Sequence, residues 1–221
     1  LDTAVQEGWI DNNPAGATKR IRTGDIEKKR TRLTLDQYRA IYEQAPAWLR
    51  NAMDIGLTTL LRRGDICRLK FSDYRDDGCL YVVPAKTADS TQVRLRIAVA
   101  EVLVTRCRDN VASTYLVHRL PQKAKPRHLR ASHREHHTQV LPEQLTRAFD
   151  AARDACKLFE GVEHPPSFHE IRSLGGQLYL ERGWTIEQIQ TLMGHASKDM
   201  TELYLAGHDA PWTDVSALIL T

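Results

Sequence analysis

The chain has 221 residues, 42% of them hydrophobic and 27% charged, with a formal net charge of +3, so it can bury one sizeable core. No apolar run approaches the ~18 residues of a membrane span and no basic-then-apolar leader opens the sequence, which predicts a cytosolic location. Cys67, Cys79, Cys107 and Cys156 lack CxxC spacing, which argues against a zinc knot or disulfide frame and predicts reduced, separately buried thiols with no structural metal.

The sequence opens on Leu1 inside a helical segment, "LDTAVQEGWIDNNPAGAT", which stops at Asn-Pro and passes into the basic run "KRIRTGDIEKKRTR" at 19–32. Residues 1–30 are therefore read as the end of an upstream domain plus a linker, and the main domain is expected from residue 31. Thr34 and Gln37 in "TLDQ" form a capping-box pattern for a first helix, and "PAWLRNAMDIGLTTLL" predicts a second, mostly buried one. "CLYVV" (79–83) and "QVRLRI" (92–97) read as a small antiparallel hairpin joined by "PAKTADST", followed by a helix over about 98–109. After a basic loop, "PEQLTRAFDAARDACKLF", "SFHEIRSLGGQLYLERG" and "TIEQIQTLMG" all have helical periodicity, the last with its own capping box, Thr185 with Gln188. The expected fold is mainly α with a small antiparallel β-sheet.

Charge is segregated along the chain. Residues 1–140 hold 25 of the 31 Lys+Arg against 16 of the 28 Asp+Glu, a net +9. The run "HRLPQKAKPRHLRASHREHH" at 118–137 contributes Lys123, Lys125, Arg127 and Arg130 as candidate phosphate contacts, or else forms a solvated loop. Its "HREHH" offers a metal-binding reading, weakened by the lack of a companion cysteine or carboxylate at ligand spacing.

Four short motifs could carry chemistry. "FHEIRSLGG" sets His169 and Arg172 three apart on one helical face, with Ile171, Leu174 and Leu178 roughly opposite, so the pair is expected to point out of the core. Gly176 falls on the same face, where a missing side chain would let a DNA backbone approach. Arg172 stands before the place where a zinc-protease helix needs its second histidine, which removes that reading. In "LTTLLRRGDICRLKFSD", Arg62 directly follows a buried run, and Asp65 begins the next turn, where a carboxylate can meet amide groups or hold a guanidinium. Lys86 occupies the hairpin tip, as a solvated lysine or as a mobile catalytic acid. In "LMGHASKDMTELYL", Gly194 stops a helix, His195 follows at once, Ser197 restarts the helix and Tyr204 comes nine residues after His195. Met200, Leu203 and Tyr204 also fit an ordinary apolar helix face.

The order of these motifs is more specific than any one of them. Arg-Arg-Gly-Asp after a buried helix, a lysine in a β-turn, HxxR, Leu-Met-Gly-His and a tyrosine nine residues on resemble the tyrosine recombinases, phage integrases of the lambda type above all. The resemblance covers about residues 31–206. It implies a catalytic domain there, a core-binding domain ending in residues 1–30, and a tail, 207–221, that docks on a neighbouring protomer in the DNA-bound assembly or folds back on its own domain when alone. Its six active-site positions fall on Arg62, Lys86, His169, Arg172, His195 and Tyr204, with Tyr204 as nucleophile and Lys86 as general acid. Leu60 departs from the pattern, since the family usually has glycine there. Arg62 is preferred over Arg63 by its distance to Gly64-Asp65. The activity so implied is site-specific DNA recombination through a 3′-phosphotyrosine, without metal, cofactor or ATP. Double-stranded DNA is the implied partner, with a homo-tetramer on it and room for accessory DNA-bending proteins. A type IB topoisomerase shares the chemistry, and a DNA-binding accessory protein could keep the fold without it.

Overall fold

A computed structural model describes residues 5–11, 31–85, 93–121, 134–194 and 213–216, the last as backbone only. Lys86, Lys123, Lys125, Arg127, Arg130, His195 and Tyr204 lie outside the described residues. Packing divides the chain into Leu1–Arg30 and Thr31–Thr221. In the first unit Gly8 N–H donates to Val5 O at 3.1 Å, closing a turn.

In the second unit the helices are α1 (Leu35–Gln44), α2 (Ala47–Thr59), the single turn α3 (Arg63–Ile66), α4 (Glu101–Thr105), α5 (Pro142–Ala155), α6 (His169–Glu181) and α7 (Ile186–Leu192). The two capping boxes form as the sequence predicts. Thr34 accepts from Gln37 N–H at 3.3 Å and Thr185 from Gln188 N–H at 3.3 Å, each glutamine accepting in return from the cap residue's own N–H. The fourth helix is shorter than the predicted 98–109, because β2 runs through Ala98.

α2 is buried on nearly every side, through Leu49, Ala52, Met53, Ile55, Leu57 and Thr59, and forms the centre of the core. α1 packs on α5, and α6 packs on α2. Phe149 of α5 meets Phe168, just ahead of α6, edge to face with centroids 5.7 Å apart. On the other side of α2, Asp54 accepts from the Tyr38 and Tyr42 hydroxyls, each at 2.8 Å, and pairs with Arg106, so one carboxylate joins α1, α2 and the end of α4.

The sheet has strand order β1-β2-β3. β1 (Cys79–Val82) and β2 (Leu95–Ala98) form the predicted antiparallel pair, in register Cys79↔Ala98 to Val82↔Leu95. A third strand, β3 (Thr213–Ser216), runs parallel to β2, in register Leu95↔Thr213 to Ala98↔Ser216, and no sequence pattern predicts it. Among the described residues no helix is long and apolar enough to cross a membrane.

All four cysteines are free, with Cys67, Cys79 and Cys107 buried. Burial pushes the Cys67 and Cys107 thiols up to about 12, so neither carries thiolate at neutral pH. Cys156 is only partly covered. Titration of the native protein with a thiol reagent at pH 8 should therefore modify Cys156 first and leave Cys67 and Cys107 unreacted until denaturant is added. Peptide mapping that finds Cys67 labelled first would contradict this packing.

Candidate active site

α2 ends at Leu60, which takes the left-handed conformation with φ 54° and ψ 22°. The chain then turns sharply, and Arg62 becomes the N-cap residue of α3. The two adjacent arginines separate here. Arg63 is exposed and donates to Thr146 Oγ1 of α5 at 2.6 Å. Arg62 is half-buried, and its Nη1 is fully enclosed with no hydrogen-bond partner among the described residues.

Arg172 projects from α6 toward the same place. Helical periodicity predicts it on the outer face with His169, and the structure corrects this. His169 at the start of α6 is exposed, whereas Arg172 is only 6% exposed and its Nη2 donates to Met193 O at 2.8 Å. Burial first, and then the nearby charge of Arg62, pull Arg172 down to about 10, partly opposed by Asp65. The buried Arg172 guanidinium thus lies near that of half-buried Arg62, with the Asp65 carboxylate close by.

Asp65 is itself buried, 5% exposed, and its Oδ1 accepts from Ala85 N–H at 3.0 Å and from Arg68 Nη2 at 2.5 Å. It meets both an amide and a guanidinium, the two roles open to it from sequence. Ala85 immediately precedes Lys86, so this carboxylate holds the backbone of the last described residue before the lysine. Sequence reasoning alone does not place Asp65 among the site residues; its position three after Arg62 is the available signal.

The helix stop at Gly194 forms as predicted. Gly194 has φ 64° and its N–H donates to Thr191 O at 2.8 Å, closing α7. A Cβ at Gly194 would lie 3.4 Å from both Leu95 Cδ1 and Pro84 Cγ, so this turn rests on the sheet beside the exit of β1. The described ends of two segments, Ala85 before Lys86 and Gly194 before His195, therefore approach the Arg62–Arg172 corner from neighbouring elements. The carbonyl of Met193 that links Arg172 to this turn has no sequence signal, being a backbone atom 21 residues away.

Gly176 is a second correction. It is buried, and a Cβ there would come within 3.1 Å of Met193 Cε and 3.7 Å of Ile189 Cγ2. Its missing side chain admits α7 and leaves no open face for DNA. In the histidine-rich run, His136 Nδ1 lies 2.7 Å from Thr138 Oγ1 and its ring packs on His137. Among the described residues no group of three or more His, Cys, Asp or Glu could hold a metal ion.

Residues 31–210 match the sequence model of the phage integrase family. The chain belongs to that family. It is 33% identical over 222 residues to the integrase of Escherichia phage HK022, covering 96% of this chain and 56% of that protein. The chain thus spans just over half the length of this phage integrase. A lambda integrase (75–356) dimer bound to a COC′ core site superposes with a TM-score of 0.69 at 30% identity, over 90% of this chain and 68% of that one. A lambda integrase tetramer bound to a Holliday junction gives 0.69 at 30% identity, over 89% of this chain and 55% of that one. The mainly helical domain with its small sheet is the phage integrase catalytic fold.

Proposed function

We propose that this chain is the strand-transfer part of a site-specific DNA recombinase that cleaves and rejoins DNA through a 3′-phosphotyrosine. The observation that carries the reading is the Arg62–Arg172 corner, in which Arg172 is buried and the enclosed Arg62 Nη1 has no partner among the described residues. The buried Arg172 charge, opposed by that of half-buried Arg62 nearby, suits an anion that brings its charge to both. A phosphodiester in transfer gathers charge on its nonbridging oxygens, and preorganised guanidinium donors in a dry site are the groups that lower that barrier.

In this mechanism Arg62, Arg172 and His195 hold the nonbridging oxygens. The Tyr204 oxygen attacks phosphorus while His169 takes the phenolic proton. The bond from phosphorus to the 5′ oxygen breaks, and Lys86 gives that oxygen a proton. The phosphotyrosine ester keeps the energy of the broken bond, so attack by a 5′ hydroxyl of another strand reseals DNA without ATP. Asp65 places the turn that carries Lys86, through Ala85 N–H. The partner is double-stranded DNA, bound with Lys123, Lys125, Arg127 and Arg130 on phosphates, and the working assembly is a homo-tetramer. The lambda integrase structures on a core site and on a Holliday junction support both. Docking of the 207–221 tail on a neighbour belongs to the same proposal, with β3, which in the single chain pairs with its own β2, as the segment exchanged.

The test is denaturing electrophoresis after incubation with a nicked suicide substrate in the presence of EDTA. A covalent protein–DNA band is expected, because guanidinium and imidazole donors meet the charge that a divalent ion would otherwise neutralise. A band that forms only when magnesium is restored would overturn the mechanism, and absence of any band would leave a DNA-binding protein without chemistry.

A further inference from the structure

Leu60 stands in a backbone conformation that suits glycine, with φ 54°, yet its side chain is fully buried. The space it fills is one left open by another residue. A Cβ on Gly175 of α6 would lie 2.5 Å from Leu60 Cδ2, 2.5 Å from Leu57 O and 3.3 Å from Leu57 C. The leucine thus takes the room that a side chain at 175 would need, and the backbone of α2 closes on α6 at the same point. Leu60 lies two residues before Arg62, and Gly175 lies three residues after Arg172. One turn further along α6, Tyr179 donates to Thr58 O at 2.6 Å, a second tie between the same two helix segments.

We propose that Leu60 and Gly175 form a size-matched pair that sets the spacing of the Arg62 and Arg172 guanidinium groups. Both are positioning residues that act through the arginines, and the inference rests on the recombinase reading above. Any side chain at 175 must push α6 from the end of α2, and the flexible tip of Leu60 is the only one of the three contacts that can yield cheaply. A displacement of a few tenths of an ångström to about 1 Å at such a pair degrades transition-state geometry far more than it degrades DNA binding.

The test is a double-mutant cycle in the full chain. Gly175→Ala should slow single-turnover adduct formation at saturating DNA by about tenfold or more, with the dissociation constant within about threefold of wild type. Leu60→Gly should also slow it. The double variant should be about threefold or more faster than the product of the two losses, because removing the leucine side chain relieves its share of the clash while Leu57 O still stands 2.5 Å from the added methyl group. A second readout is independent of activity: the Arg172 Nε–H resonance should move in Gly175→Ala and return toward its wild-type position in the double variant. If wild-type protein forms no adduct, the recombinase reading fails and the resonance alone decides the pairing. Losses that multiply, or a Gly175→Ala protein that cleaves at the wild-type rate, would overturn it. If Gly175→Ala does not fold, a folded double variant supports the pairing, and where neither folds Leu60→Gly decides: an Arg172 Nε–H resonance that stays at its wild-type position in it refutes the pairing.

Discussion

On DNA whose 5′ bridging oxygen is replaced by sulfur, Lys86→Ala should regain cleavage and Tyr204→Phe should stay inactive. On ordinary DNA both variants should fail to different degrees. If Lys86 protonates the departing oxygen, its loss slows cleavage by about 10²- to 10⁴-fold with DNA affinity almost unchanged, since general acid catalysis acts only in the transition state. A thiolate leaves without a proton, so the modified substrate removes the need for the acid. It cannot supply a nucleophile, and a phenyl ring at 204 has none to offer. The structure adds a reason to look at this lysine, because Asp65 pins the backbone N–H of Ala85 directly before it. Gel quantitation of covalent adduct decides the matter. Should sulfur rescue neither variant, Lys86 is a phosphate contact and His169 becomes the first candidate for the acid.

Arg172→Met should cost at least about 10²-fold in cleavage and little or nothing in stability. One preorganised donor to the transition state is worth about 10²- to 10³-fold. The opposing account is thermodynamic. Burial and Arg62 draw Arg172 from the ordinary guanidinium value down to about 10, which corresponds to roughly 3 kcal/mol against the charged form. Because the folded value lies below the unfolded one, this cost is fully present below pH 10 and is relieved only as pH rises from there toward the unfolded value. Losing the hydrogen bond to Met193 O forfeits about 1.5–3 kcal/mol, which roughly offsets the relief. The melting temperature of Arg172→Met should accordingly equal or exceed that of wild type across pH 6–9, where the cost is constant. A drop of many degrees would show that Arg172 holds the fold together, contrary to its placement beside a like charge.

Features set by a few neighbouring residues are legible in the sequence, and those set by distant ones are not. Thr34 and Thr185 announce their helices because a capping box lies within four residues, and Gly194 announces a stop because its positive φ is a local need. Periodicity misplaces Arg172 and Gly176 on an open face. It locates the apolar stripe of α6, yet α7 folds back over the opposite side and covers it with Ile189 and Met193. β3 has no signature, because four residues, Thr-Asp-Val-Ser, carry too little alternation to stand out. The departure at Leu60 is visible, but its left-handed backbone and its match with Gly175 depend on a residue more than a hundred positions away.

The Asp54 hub distributes tolerance unevenly among its members. A carboxylate that accepts from Tyr38, Tyr42 and Arg106 keeps partners when any one donor is lost, so drift at 38, 42 or 106 leaves the remaining contacts satisfied. Loss of the acceptor removes the partner of all three at once, at the greatest cost for the buried Tyr38 hydroxyl, whereas the half-exposed Arg106 keeps its bond to Asn51 Oδ1. Among the four members, position 54 is therefore the one whose loss breaks every contact at once, while loss of a single donor breaks one.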